Sequence, residues 1–213
     1  MNAKTALVIG VGGLGCTSAS LLARHGINLI LIDGDVVEKS NLDRQILFYK
    51  NDVGKPKVEC AKNKLEEFTK VNIIFDNFNK NSINKYKKLF KDIDIIIDCT
   101  DNLETREIIN KFSFKNLIPW IYSAGVKDYG TVYFIDPNNK ERACYNCFNL
   151  NKQGESACDV GVLNTTVSII GAMSARMAVE YLETNKYEND MIRLKENLLY
   201  KLKIKRNREC NHN

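Results

Sequence analysis

Short apolar runs alternate with helix-period segments along the first half of the chain. Thr5 to Ile9, Asn28 to Ile32, Asn72 to Phe75 and Ile93 to Ile97 read as strands, and the amphipathic stretches between them as helices. That order predicts parallel strands joined by right-handed crossovers. The punctuation agrees: Gly26 suits the end of the first helix, Pro56 the first turn of the next, and Ser82 the cap of a third. Ile93-Asp94-Ile95-Ile96-Ile97 is apolar nearly throughout, as a strand buried on both faces requires.

Beyond Thr100 the pattern changes. A helix near Glu104 to Phe112 is followed by two consecutive strands, Trp120 to Ala124 and Thr131 to Ile135, whose short connection makes them antiparallel. The turn residues Asp136-Pro137-Asn138-Asn139 lead to a cysteine pair and then a polar segment, Asn151 to Cys158. A long helix from Val162 to Leu182 and a last pair of strands around Glu196-Asn197 complete an α/β fold. Its sheet is mixed, parallel in the N-terminal half and antiparallel afterwards.

The 213 residues suffice for a single α/β domain and fall short of two full-sized ones. No apolar run approaches a bilayer-spanning length, and the N-terminus lacks the pattern of a signal peptide, so a cytoplasmic protein without membrane contact is expected. Seven cysteines, an odd number, suit metal or thiol chemistry better than a disulfide framework. The net charge of +5 comes mostly from Lys80 to Lys91 and Arg193 to Arg208. The first lies on a helical pattern and the second alternates with apolar residues, so both read as solvated faces and no nucleic-acid partner is expected.

The chemistry begins at Gly10-Val11-Gly12-Gly13-Leu14-Gly15, which follows a strand and opens a helix. In that context glycines let backbone N–H groups approach phosphates at a helix N-terminus. Asp33, at the end of the next strand, is placed to accept hydrogen bonds from ribose hydroxyls. These two features alone leave an NAD-dependent oxidoreductase open. The same glycines also approximate a phosphate loop in which Cys16 stands where lysine is usual, so positive charge must come from elsewhere. Arg44 can fork to phosphate oxygens, Gln45 and Asn41 can add neutral donors, and Lys57, opening a helix, can supply a point charge. Asp101 follows a central strand at its carboxyl end, where open α/β sheets gather ligands, and suits Mg²⁺ bound against phosphate. It or Thr100 can instead cap the next helix.

Together, Gly10-x-Gly12-Gly13-x-Gly15, Asp33-x-Asp35, Ser40-Asn41-Leu42-x-Arg44-Gln45, Gly54-x-Pro56-Lys57 and Asp98-x-Thr100-Asp101-Asn102 resemble the ThiF, MoeB and HesA family, the prokaryotic relatives of ubiquitin-activating enzymes. The resemblance runs from about Ala6 to near the C-terminus. It implies a Rossmann-like adenylation domain that uses ATP to adenylate the C-terminal glycine carboxylate of a ubiquitin-like sulfur carrier and releases pyrophosphate. The pathway would be thiamine or molybdopterin biosynthesis or tRNA thiolation. The implied roles are nucleoside binding for Asp33 and Asn41, with Asp35 and Asn102 in the same nucleotide site, phosphate binding for Arg44, Gln45 and Lys57, and magnesium for Asp101. A non-catalytic relative that binds a ubiquitin-like partner is the remaining alternative of this kind.

Cys144-Tyr145-Asn146-Cys147 has the spacing of half a tetrahedral zinc site. The family commonly completes it with a second Cys-x-x-Cys, whereas this chain offers Cys210-Asn211-His212, so Cys144, Cys147, Cys210 and His212 are the expected Zn²⁺ set. Cys16, Cys60 and Cys99 read as small buried side chains. Cys158 resembles the family cysteine on a crossover loop, a candidate nucleophile. A homodimer is expected by resemblance. The first strand starts almost at Met1, which leaves Lys4 as the cation upstream where relatives carry an arginine. With no rhodanese-like extension, sulfur transfer is expected to need a separate sulfurtransferase.

Overall fold

The computed structural model describes residues 3–139, 141–148, 161–187, 190–207 and 210. Eight strands form one sheet in the order β3-β2-β1-β4-β5-β6-β7-β8. β1 (Thr5–Ile9), β2 (Asn28–Ile32), β3 (Val71–Ile74), β4 (Ile95–Asp98) and β5 (Trp120–Val126) pair in parallel. β6 (Tyr129–Ile135), β7 (Asp190–Lys195) and β8 (Leu198–Lys203) continue the sheet antiparallel. The expected mixed sheet is therefore present. The β7–β8 hairpin turns at Glu196 and Asn197, both at positive φ (52° and 63°), the backbone that a tight two-residue hairpin turn demands.

The helices are α1 (Gly13–Arg24), α2 (Lys57–Leu65), α3 (Lys80–Lys85), α4 (Leu103–Asn116), α5 (Tyr145–Phe148) and α6 (Asn164–Thr184). Side chains alternate across the strands, so β1 sends Ala6 and Val8 to one face and Leu7 and Ile9 to the other, all buried. The first face packs against α1, α2 and α6, and the second against α3, α4 and α5, which gives two cores on a sheet covered on both sides. α3 is shorter than the lysine-rich pattern suggests. Its cap is Asn79, whose side chain accepts from the backbone of Asn81 and Ser82, while Ser82 returns a bond to the Asn79 backbone. The expectation that Ser82 is the cap is corrected: it is the far member of a capping box. Among the described residues no helix is long and apolar enough to cross a membrane.

Candidate functional site

β1 continues to β2 on one side and lies beside β4 on the other, so the strand order reverses there and a crevice opens at the carboxyl ends. That crevice is a cleft of about 780 Å³, within the size range of small-molecule sites. Gly10, Gly12 and Gly13 line it from β1, Asp33 and Asp35 from β2, and Asp101 and Asn102 from β4. Asn41, Arg44, Gln45 and Lys57 reach the same cleft from the segment between β2 and α2. Gly15 differs: it faces the turn rather than the cavity, and a Cβ on it would stand 2.0 Å from the Gly10 carbonyl oxygen. Gly10 itself holds φ +87°, with the Cys99 carbonyl 2.8 Å from where a Cβ would be. The turn can therefore coil tightly enough to aim the start of α1 into the cleft only with glycine at both places.

α1 begins at Gly12 with no side-chain cap and no acidic residue in its first turn. Its leading N–H groups and its dipole are left for an anion, the arrangement that phosphate requires. The Asp33 carboxylate accepts from the Val11 N–H at 2.6 Å and from the Asp35 N–H at 2.8 Å, so the acid is locked against the glycine turn. Burial raises its pKa against the opposing pull of Lys57 and the two N–H groups.

Lys57 brings a buried positive charge to the cleft. Spacing alone could make it an exposed lysine, but its side chain is 8% exposed and its Nζ lies 2.7 Å from Asp35 Oδ2. Arg44 donates through Nη1 to the Ser40 carbonyl and to Asp43 Oδ1, both at 2.8 Å. Gln45 is buried, and its Oε1 has no partner among the described residues. Asn41 is buried and uses its Oδ1 to accept from the Glu38 N–H at 3.1 Å. Asn102 caps α4 by accepting from the Thr105 N–H at 3.0 Å, so the capping role falls to neither Thr100 nor Asp101.

Arg106 also lines the cleft and was not anticipated. On α4 it resembles any cation of an amphipathic helix, yet it is 6% exposed and forms a buried ion pair with Asp98. The only sequence signal was an aspartate ending an otherwise apolar strand.

The second cluster lies on the opposite face of the sheet from α1. Cys144 and Cys147 on the α5 segment meet Cys210 from the other end of the chain, with Sγ separations of 3.8 Å and 3.5 Å from Cys144. Thiolates around tetrahedral zinc, at bonds of about 2.3 Å, lie about 3.8 Å apart, so this donor set fits that ion. Burial, then the neighbouring thiols, push Cys144 up to about 12, so this thiol needs a cation to ionise. His212 and Cys158 lie outside the described residues. Cys16, Cys60 and Cys99 are buried as expected, and burial pushes Cys16 up to about 12, which makes it inert.

The ThiF family pattern matches residues 1–212. The molybdopterin-synthase adenylyltransferase of Escherichia coli is 31% identical over 185 residues, covering 83% of this chain and 72% of that protein. The sulfur carrier protein ThiS adenylyltransferase of Bacillus subtilis is 32% identical over 192 residues, covering 86% of this chain and 55% of its own. A crystal structure of E. coli MccB with ATP superimposes with a TM-score of 0.81 at 25% identity, over 98% of this chain and 65% of that one.

Proposed function

Because this chain belongs to the ThiF family, we propose that it adenylates the C-terminal glycine carboxylate of a ubiquitin-like sulfur carrier ending in Gly-Gly, consuming ATP and releasing pyrophosphate. The observation that carries the reading is one cleft holding an uncapped helix N-terminus, the Asp33 carboxylate at the end of β2 and two cations from outside the glycine turn. Hydride transfer develops its charge at the nicotinamide and has little use for a cluster of cation, amide and acid beyond the pyrophosphate. The relatives named above are adenylyltransferases, as this reading requires. They weigh equally against a purely carrier-binding role.

The carrier carboxylate is ionised at neutral pH, so its attack needs no general base. Its oxygen forms a bond to the α-phosphorus while the bond to the bridging oxygen breaks, giving an acyl adenylate and pyrophosphate. What the protein supplies is position and charge. In this proposal Asp33 and Asn41 hold the nucleoside, with Asp35 and Asn102 beside it. The α1 N-terminus, Arg44, Gln45 and Lys57 hold the phosphates. Asp101 is the ligand for Mg²⁺, which when bound neutralises phosphate charge.

The whole described chain acts as a single adenylation domain, and Cys144, Cys147, Cys210 and His212 hold a structural Zn²⁺. Cys158 is the candidate thiol for a covalent link to the carrier. The proposal extends to a cytoplasmic homodimer that relies on a separate sulfurtransferase for sulfur. The test is exchange of labelled pyrophosphate into ATP. Exchange that depends on a Gly-Gly-ending carrier and is lost in Arg44→Ala and Asp101→Ala supports the reading. Carrier binding without exchange overturns it.

A further inference from the structure

The loop between β4 and α4 presents Asp101 to the cleft, and the residue before it is held on every polar group. Asp98, fully buried, accepts at Oδ1 from the Thr100 N–H at 2.9 Å and from the Thr100 hydroxyl at 2.7 Å. Its Oδ2 accepts from Arg106 Nε at 3.1 Å. Arg106 Nη2 donates to the Thr100 carbonyl and, at 3.1 Å, to the Ser123 carbonyl of β5. The Tyr122 ring lies 4.7 Å from the centre of the guanidinium, closing it in from a further side. One forked cation thus ties together the end of β4, the loop, the first turns of α4 and the neighbouring strand.

Stability does not account for this device. Arg106 sits near the positive end of the α4 dipole, where a cation is disfavoured. A buried ion pair roughly breaks even against an apolar replacement. Burial works against the guanidinium's charge more than any one neighbour favours it, and only Asp98 together with Tyr122 and Tyr145 holds the Arg106 pKa above its ordinary value. What the pair does accomplish is geometric. With the N–H, hydroxyl and carbonyl of Thr100 all bonded, the backbone entering Asp101 has little freedom left.

We infer that Arg106, acting with Asp98 through Thr100, is a positioning residue that sets the Asp101 carboxylate for metal-bound phosphate. The inference rests on the reading of Asp101 as the magnesium ligand. A carboxylate displaced by a fraction of an ångström loses much of its value at a site that demands near-octahedral geometry. Lysine in place of Arg106 keeps the charge but cannot reach Asp98, Thr100 and Ser123 together.

The experiment is calorimetric titration of ATP into the full chain, once with EDTA and once across a series of Mg²⁺ concentrations, so that the readout is independent of turnover. Arg106→Lys is expected to raise the Mg²⁺ concentration for half-maximal enhancement of ATP binding at least tenfold. Its affinity for ATP in EDTA should stay within threefold of wild type. Thr100→Val removes one hydroxyl and leaves the ion pair, so it should fold even if Arg106→Lys does not; it should shift the Mg²⁺ requirement about threefold the same way. Unchanged Mg²⁺ dependence in both variants overturns the inference and leaves the adenylation reading standing. An Asp101→Ala protein with wild-type Mg²⁺ dependence overturns the inference by removing its premise. Wild-type Mg²⁺-enhanced ATP binding without pyrophosphate exchange overturns only the adenylation reading.

Discussion

Lys57 and Asp35 form an ion pair at 2.7 Å in which the cation is buried and the anion, 68% exposed, faces water. That asymmetry gives the two partners different mutational signatures. Lys57→Met leaves Asp35 solvated by water and Asp33 still held by the Val11 and Asp35 N–H groups, so its loss of thermal stability should be the smaller of the two while pyrophosphate exchange falls about a hundredfold. Asp35→Ala strands a buried ammonium, which costs about 1–3 kcal/mol and roughly 2–4 °C per kcal/mol in a chain of this size. Calorimetric melting beside the exchange assay reads both, and equal melting losses for the two would contradict the account.

The glycine turn is a matter of clearance. A Cβ on Gly15 would lie 2.0 Å from the Gly10 carbonyl oxygen, and backbone cannot yield as a flexible side chain does. Gly15→Ala should cost about 1–3 kcal/mol in denaturant unfolding and weaken ATP binding, because the start of α1 must move. Wild-type stability and affinity in that variant would show that the turn has more room than its geometry indicates.

For the cysteine cluster the expected content is one equivalent of zinc per chain, purified under reducing conditions. Cys144→Ser should lose the metal and, since a ligand present at a hundred times its dissociation constant adds about 2.7 kcal/mol, at least that much stability. Metal analysis that finds none in the wild type removes the zinc assignment.

Asp52 provides a pH signature away from the cleft. Against the cost of its burial, the Lys64 ammonium and the Tyr49 N–H hold its carboxyl below the ordinary carboxylate range. The folded pKa being the lower one, the stabilisation is complete above the unfolded value of about 4. It is lost as pH falls through the folded value. Asp52→Asn should therefore be about 1.5 kcal/mol less stable at pH 7, and its gap from wild type should close as pH drops from about 5 towards 2. A gap independent of pH would exclude the ion pair as its source.

Much of this protein is legible in one dimension. The strand and helix order, the change from parallel to antiparallel pairing, the glycine turn and the position of Asp33 all follow from patterns a few residues long. Backbone geometry imposes periods of two and 3.6 locally, so such features need no knowledge of where the chain goes next. The end of the sheet where the cleft opens was equally readable, since it follows from the order of the strands.

Tertiary structure decided the rest. Whether Lys57 is a solvated lysine or a buried charge depends on Asp35, 22 residues away, and on the cover above both. Cys144 meets Cys210 across 66 positions only because the end of the chain returns to the α5 segment. Arg106 has the spacing of a helix-surface residue, and Asp98 alone, at the foot of a buried strand, hinted that a cation had to be supplied. Lys57 and Cys144 have partners distant in sequence, and Arg106 has one eight positions away, but in all three it is burial, which no local pattern encodes, that sets a common side chain apart.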